Sequence, residues 1–362
     1  MSSTLNFVLG TRPEIIKLSP VIRECQRRDV PFSLIHTGQH YSDELDSVFF
    51  EQLELPTPEY NLCVGSSTHG EQTGKMIAEI EAVLEEERPE VVLVQGDTNS
   101  VLAGTIAATK MDGIEVGHVE AGLRSFDRNM PEEVNRRLAD HAADYLFPPT
   151  KTSENQLIAE GLPEEWITVT GNTIVDAVTQ NVEIAHERSD VLSELGLEER
   201  FGLLTAHRAE NVDDCERFLS LLDAVSKTAK QQGLAVVYPI HPRAEKQISE
   251  FGIDVPEEIQ LVEPQDFLDF LVLEDEAEIV FTDSGGVQEE TCILQTPCVT
   301  LRDNTERPET VEVGANQIVG IEPSDVATGV REMLKIEPEW ENPFGDGTAA
   351  QRILDKLGYD QK

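Results

Sequence analysis

Short, β-rich apolar runs alternate with longer amphipathic stretches from one end of this chain to the other. That rhythm belongs to stacked βα units around parallel sheets, because parallel strands need a crossover segment to bring the chain back. A first series of strands is expected at Leu5–Leu9, Phe32–His36, Val91–Gln95, Glu115–Val119 and Tyr145–Phe147, with helices near 14–28, 70–87, 99–111, 132–143 and 153–160 between and after them. Ile167–Val169 also reads as a strand. A second series follows at Phe201–Thr205, Ala235–Ile240, Ile259–Val262, Ile279–Thr282, Cys298–Leu301 and Gln317–Gly320. The 362 residues suffice for two α/β domains, each with its own core. The break is expected at Gly171-Asn172, giving domains 1–171 and 172–347. Pro338, Pro343, Gly345 and Gly347 punctuate the far end, and a last helix at Thr348–Leu357, within a tail of 348–362, is expected to pack back on the first domain.

Charge narrows the partners. There are 69 acids and 28 bases, for a formal net charge of −41. The acids are dispersed among apolar runs such as Val91-Val92-Leu93-Val94, so the chain reads as folded rather than disordered. A surface of this sign repels nucleic acid and anionic lipid, and neither is expected as a partner. It suits a high-salt cytoplasm, where screening removes most self-repulsion. The five cysteines, Cys25, Cys63, Cys215, Cys292 and Cys298, show no CxxC spacing and read as small core residues of a reducing cytosol. The opening residues enter a strand at once without a signal-peptide shape, and no apolar run is long enough to span a membrane. A soluble cytoplasmic protein is expected.

The unusual residues collect at the carboxyl ends of strands, where open parallel sheets bind ligands. Phe281-Thr282-Asp283-Ser284-Gly285-Gly286 runs from a strand through a tight turn into a helix that carries Glu289 and Glu290. Such a turn aims unpaired backbone N–H groups at an incoming anion, although glycine there also serves simply to turn the chain. In Gly10-Thr11-Arg12-Pro13-Glu14, proline suits a first helical position and Glu14 complements the helix dipole. Arg12 is placed to grip phosphate, with Lys17 about one helical turn beyond. Asp97 in Gln95-Gly96-Asp97-Thr98-Asn99, Glu120 in Gly117–Arg124 and Glu132 at the start of Pro131–Arg137 fit helix caps and dipole partners. Converging on one cleft, they would instead form an acid/base set, because close carboxylates separate one another's pKa values. His207 stands among Arg208, Glu210 and Asn211 at a strand end and reads as a site residue, with His241 as a second histidine. Gln265 and Phe270 would offer an amide to a base edge and a ring against it, or no more than a loop and a helix start. In a chain so poor in bases, four arginines near strand ends (Arg12, Arg208, Arg302 and Arg307) point to an anionic ligand. No GxGxxG fingerprint, Walker A pattern or zinc spacing occurs, so no NAD and no metal are expected.

Taken in order, GTRPE, QGDT, HVEAGLR, PEEVNR, TAHRAEN, PQ-x4-F, TDSGG-x-QEE and RDNTERPE resemble the non-hydrolysing UDP-N-acetylglucosamine 2-epimerases from residue 10 to about 309. The resemblance implies a GT-B-like α/β fold, two Rossmann-like doubly wound parallel-sheet domains facing an interdomain cleft. It implies cofactor-free C2 epimerisation of UDP-GlcNAc to UDP-ManNAc by elimination of UDP and re-addition. It further implies that Asp97, Glu120, Glu132 and His207 are catalytic. Arg12 and Ser284, Gly285 and Gly286 would hold the diphosphate, Gln265 and Phe270 the uracil, and Glu290 the ribose. Arg307 would serve charge balance or closure. A homodimer through the first domain is implied as well. A modified UDP-sugar such as a diacetamido-uronic acid, or a hydrolysing epimerase, would be served by similar residues; a GT-B glycosyltransferase or a non-catalytic nucleotide-sugar binder fits less well. In one respect the chain departs from many bacterial members. Gln39-His40 is followed by Tyr41-Ser42-Asp43-Glu44-Leu45, and Leu62–Ser67 contains no arginine, so the activator site of those members is not expected.

Overall fold

The structure is a computed structural model that describes residues 4–38, 49–197 and 200–360. Two compact units divide these residues, one formed by 1–177 with 344–362 and the other by 178–343.

The first unit contains a six-stranded sheet, β1 (Leu5–Leu9), β2 (Phe32–His36), β3 (Tyr60–Asn61), β4 (Val91–Gln95), β5 (Glu115–Val119) and β6 (Tyr145–Phe147). Its order is β3-β2-β1-β4-β5-β6, and every pairing is parallel. Strand β1 is completely buried, as it must be with helices on both faces. The helix Asn99–Thr109 is apolar nearly all round and largely buried, which suits a crossover at the centre of the sheet. Its Gly104 brings it onto Val8 and Val94. The helix Ala349–Lys356 returns to the first long helix, Arg12–Arg27, through Arg28, whose Nη1 lies 2.5 Å from Asp355 Oδ1. Asp176 ties down its start by accepting from the backbone N–H of Ala349 and Ala350.

The second unit repeats the plan with β7 (Phe201–Thr205), β8 (Ala235–Pro239), β9 (Ile259–Val262), β10 (Ile279–Thr282), β11 (Cys298–Thr300) and β12 (Asn316–Ile318). The order β12-β11-β10-β7-β8-β9 is again all parallel. Both units are therefore Rossmann-like, with the strand order reversing between β1 and β4 in one and between β7 and β10 in the other. The crevice at such a switch point is where doubly wound sheets bind ligands.

Some details differ from the sequence reading. Ile167–Val169 forms no strand; Ile167 makes only an isolated bridge with Leu146. The two-residue strand β3 carries no alternation long enough to announce itself. The last strand is Asn316–Ile318, starting and ending earlier than expected. Cys25, Cys292 and Cys298 are buried, but Cys63 is exposed, so it is no core residue. Among the described residues no helix is long and apolar enough to cross a membrane.

Candidate active site

In the first unit the switch point brings the ends of β1 and β4 together. The chain leaves β1 through Gly10, where a Cβ would fall 2.0 Å from Thr37 Oγ1, so only glycine fits the turn. Glu14 then folds back, its Oε2 accepting from Gly10 N at 2.7 Å and Thr11 Oγ1 at 3.0 Å. This is a capping arrangement, and Thr98 Oγ1 from the end of β4 donates to the other oxygen. Glu14 is 1% exposed. Burial pushes its pKa up to about 7 against the lowering effect of those hydrogen bonds. Arg12 projects to the surface with its guanidinium 5.5 Å over the Phe49 ring.

Strands β4 and β5 pair directly, Gln95 against Val119. Asp97 and Glu120 thus follow neighbouring strand ends. Glu120 has a φ of 69°, a left-handed conformation that a glutamate adopts only when its surroundings impose it. Its backbone N–H donates to Phe147 O at 3.1 Å. Lys17 Nζ donates to both carboxylate oxygens at 2.8 Å, and Gln95 Nε2 donates to one of them. Asp97 is half-buried and meets Arg136, while its backbone carbonyl accepts from Asn135 Nδ2 at 3.0 Å. Glu132 begins the same helix, Pro131–Ala142, and is half-buried. Its neighbour Glu133 points inward, accepting from Ser125 N at 2.8 Å and pairing with Arg136 at 3.0 Å.

A buried ionic chain supports these strand ends. His118 bridges Gly96 O at 2.8 Å and Asp140 at 2.7 Å; Asp140 meets Arg124 at 2.6 Å, and Arg124 meets Glu160 at 2.7 Å. Burial works against protonation of His118, but the hydrogen bond and charge of Asp140 prevail and raise its pKa. Through both ring nitrogens His118 holds the Gly96 turn to the helix below. His118 and Arg124 of the HVEAGLR motif are therefore scaffold for Glu120 and Asp97.

In the second unit Asp283, at the end of β10, is fully buried and organises the switch point. It accepts from His207 N at 3.0 Å, Arg208 N at 3.0 Å and Asn211 Nδ2 at 3.1 Å. His207 Nδ1 lies 3.3 Å from the same carboxylate, and its ring centroid is 5.2 Å from that of His241. Burial lowers the His207 pKa, with His241, Arg208 and Arg243 adding to the effect and Asp283 opposing it. The Asp283 carboxylate thus flanks the His207 ring and binds its backbone N–H. Asp283 belongs to the TDSGG motif, yet spacing alone gives it no role beyond the turn.

Ser284 precedes the helix Gly285–Leu294 without capping it through its side chain. The nearest heavy atom to a Cβ built at Gly285 would be 3.8 Å away, and at Gly286 3.9 Å. Packing within the protein therefore does not demand glycine at either position. What the two glycines leave clear is the approach to the first-turn N–H groups. Gln265 turns its amide onto Glu263 O at 2.7 Å, Asp266 caps the helix Phe267–Glu276, and Phe270 is half-buried on that helix. Glu290 is half-buried on the glycine-led helix.

Two of the four arginines near strand ends are closely paired with acids. Arg302 is buried and engaged by Glu210 at 2.8 Å and Glu306 at 2.6 Å, and Arg307 lies 2.6 Å from Glu289. Both are neutralised by the acids around them. Lys17 likewise serves Glu120. Among the described residues one group, His186, Asp275 and Glu276, is spaced for a cation, but His186 and Glu276 are exposed, Asp275 is half-buried, and His186 already bonds Asp275 at 2.7 Å. Gln39–Leu45 lie outside the described residues.

The sequence pattern of the family described as UDP-N-acetylglucosamine 2-epimerase matches residues 23–358. A UDP-N-acetylglucosamine 2-epimerase of Methanocaldococcus jannaschii is 52% identical, over 98% of this chain and 99% of that protein. A solved structure of the UDP-GlcNAc 2-epimerase from that organism superposes with a TM-score of 0.91 at 51% identity, covering 98% of this chain and 99% of the other. A second structure, of the same organism's enzyme in complex with UDP-GlcNAc and UDP, gives a TM-score of 0.83 at 52% identity over the same shares. Two Rossmann-like units, strand-end carboxylates and a glycine-led helix start thus accompany likeness over nearly the full length: the chain belongs to the UDP-N-acetylglucosamine 2-epimerase family.

Proposed function

We propose that the protein interconverts UDP-GlcNAc and UDP-ManNAc by inverting C2 of the sugar without hydrolysing it. The observation that carries this reading is the pair of acids at adjacent strand ends, Asp97 after β4 and Glu120 after β5, the latter held in a left-handed conformation by its surroundings. In the forward direction one carboxylate takes the C2 proton while the C1–O bond breaks, and its electron pair leaves with the UDP diphosphate. A 2-acetamidoglucal remains. Protonation of C2 from the opposite face and attack of the diphosphate oxygen on C1 complete the inversion. The sequence ends with the atoms it began with and needs no oxidant.

The two acids are differently prepared. Glu120 is 9% exposed and has Lys17 and Gln95 upon it; Asp97 is more open and faces Arg136. Unlike surroundings suit an acid and a base working on opposite faces of one carbon. Glu132 joins them as the third carboxylate. The diphosphate falls to the N–H groups behind Ser284, Gly285 and Gly286, to Arg12, and to His207, whose ring Asp283 flanks. Phe270 and Gln265 take the uracil, Gln265 after releasing Glu263, and Glu290 takes the ribose. Arg307, neutralised by Glu289, contributes charge balance only if that pair opens.

Incubation with UDP-GlcNAc in D2O, followed by NMR, tests it. Deuterium at C2 of UDP-ManNAc, formed with no added nucleotide cofactor, is expected. Free ManNAc would indicate a hydrolysing enzyme. Inert UDP-GlcNAc, with turnover of a diacetamido-uronic acid substrate, would move the reading to the modified-sugar epimerases.

A further inference from the structure

The glycine-led helix and the RDNTERPE loop each carry a residue that the reaction above does not use, Gln288 and Thr305, and the fold joins them. Gln288 is fully buried. Its Oε1 accepts from Thr305 Oγ1, and from Asn316 Nδ2 at 3.2 Å. Thr305 Oγ1 in turn accepts from the backbone N–H of Arg307 at 2.9 Å. From the other side Asn316 Nδ2 donates to Thr310 Oγ1 at 3.1 Å, and Thr310 Oγ1 donates to the backbone carbonyl of Arg307 at 2.8 Å. These bonds close a ring in which a threonine hydroxyl holds each backbone polar group of Arg307. Thr300 Oγ1 donates to Asn316 Oδ1 at 2.9 Å, which sets the orientation of that amide. With the Asn316 amino group facing it, Gln288 must present its oxygen.

Packing alone does not account for the ring. With its oxygen committed, Gln288 leaves Nε2 buried with no hydrogen-bond partner among the described residues, at a cost of about 1–3 kcal/mol. A methionine of similar shape would avoid that cost. The place of the ring is more telling. Arg307 heads the short helix Pro308–Glu312, and its Nε lies 2.6 Å from Glu289 Oε1. Glu289 follows Gly285 by four residues, on the same helical face and ~6 Å further along the axis. The neighbouring Glu306 reaches the glycine turn itself, with Oε2 3.8 Å from where a Gly285 Cβ would be. The loop that the ring pins thus borders the turn assigned above to the diphosphate.

We propose that Gln288 is a positioning residue for Arg307: the ring it closes fixes the arginine's backbone, so that opening of the Glu289 pair delivers the guanidinium to the diphosphate. This inference rests on the nucleotide-sugar reading and adds the residue that places Arg307 within it. Steady-state rates with UDP-GlcNAc test it in wild type, Gln288→Met, Thr305→Val and Thr305→Ser, each also in an Arg307→Ala background. Gln288→Met and Thr305→Val keep the shape and remove the bonds, and each should lose about tenfold in kcat with KM within about threefold. Thr305→Ser keeps the hydroxyl and should stay within about threefold of wild type in both. Arg307→Ala should lose at least about tenfold in kcat. Adding Gln288→Met or Thr305→Val to it should cost no more than about twofold, because nothing remains for the ring to place.

An equal cost of Gln288→Met with and without Arg307 would assign the ring to the fold and overturn the proposal. So would near-normal turnover in Arg307→Ala, or in both ring variants, or a Thr305→Ser enzyme as impaired as Thr305→Val. Should Gln288→Met not fold, Thr305→Val carries the same comparison. A wild type inert toward UDP-GlcNAc would instead refute the nucleotide-sugar reading, and this inference with it.

Discussion

Glu14 couples the site to pH in a way that can be worked through in numbers. It is fully enclosed, and burial moves its pKa from 4.5 to about 7. Because the folded-state value is the higher one, the folded chain holds a proton that the unfolded chain releases between those limits. The associated stability is complete below pH 4.5 and is lost as pH rises through about 7. At about 1.4 kcal/mol for each tenfold change in proton affinity, the full effect is about 3 kcal/mol, of which about 2.5 kcal/mol falls between pH 5 and pH 8. Glu14→Gln removes the ionisation but keeps an oxygen for Gly10 N and Thr11 Oγ1 and places an amide toward Thr98, whose hydroxyl can turn to accept. Trp166 lies in the first unit and Trp340 in the second, so urea unfolding in a Trp340→Phe background reports the unit that contains Glu14. The stability of Glu14→Gln relative to its parent should grow by about 2.5 kcal/mol from pH 5 to pH 8. His118, Asp176 and other shifted groups are common to both chains and cancel in the difference. Parallel stability curves would show that Glu14 is ionised at neutral pH and that the argument from burial is wrong.

Other expectations follow from the site and the charge. Asp97→Asn and Glu120→Gln should each lose ~10²–10⁴-fold in turnover while still binding UDP; near-normal rates would reject their acid/base roles. Gly286→Ala meets nothing nearer than 3.9 Å, so its thermal midpoint should hold while calorimetry shows weaker UDP binding; unchanged affinity would remove the diphosphate from this turn. The midpoint of the wild type should rise between dilute buffer and molar KCl if the −41 charge reflects salt adaptation, and a flat response would refute that. Initial rates against UDP-GlcNAc should be hyperbolic, with UDP-ManNAc turned over alone; a sigmoidal curve would reveal an activator site.

Strand and helix periods made both parallel sheets legible, because a strand buried on two faces, such as Val91–Gln95, has no other way to read. Tyr60–Asn61 was not legible, since two residues carry no period. Motif order pointed to the strand ends that matter, but not to the division of labour within them. HVEAGLR reads as a single functional string, yet its His118 and Arg124 serve a buried ionic chain while Glu120 faces Lys17 and Gln95. Arg302 and Arg307 looked available in a chain poor in bases. In fact an excess of acids lets Arg302 and Arg307 find carboxylates within their own loop or the adjoining helix. Asp283 and Glu14 share a different difficulty. Each acts through burial and through partners far away in sequence, as Glu14 does with Thr98 and Asp283 with His207, and no local pattern encodes a lost hydration shell.

The left-handed backbone at Glu120 also bears on which substitutions a population of such chains would tolerate. A glycine there would relax the chain by about 1 kcal/mol and would also remove the bond with Lys17. Selection for robustness alone would accept the first change, whereas selection for turnover forbids it. Because that relief comes only with the loss of a nearly buried ion pair, which costs more, variants enriched for heat resistance should not gather at this position.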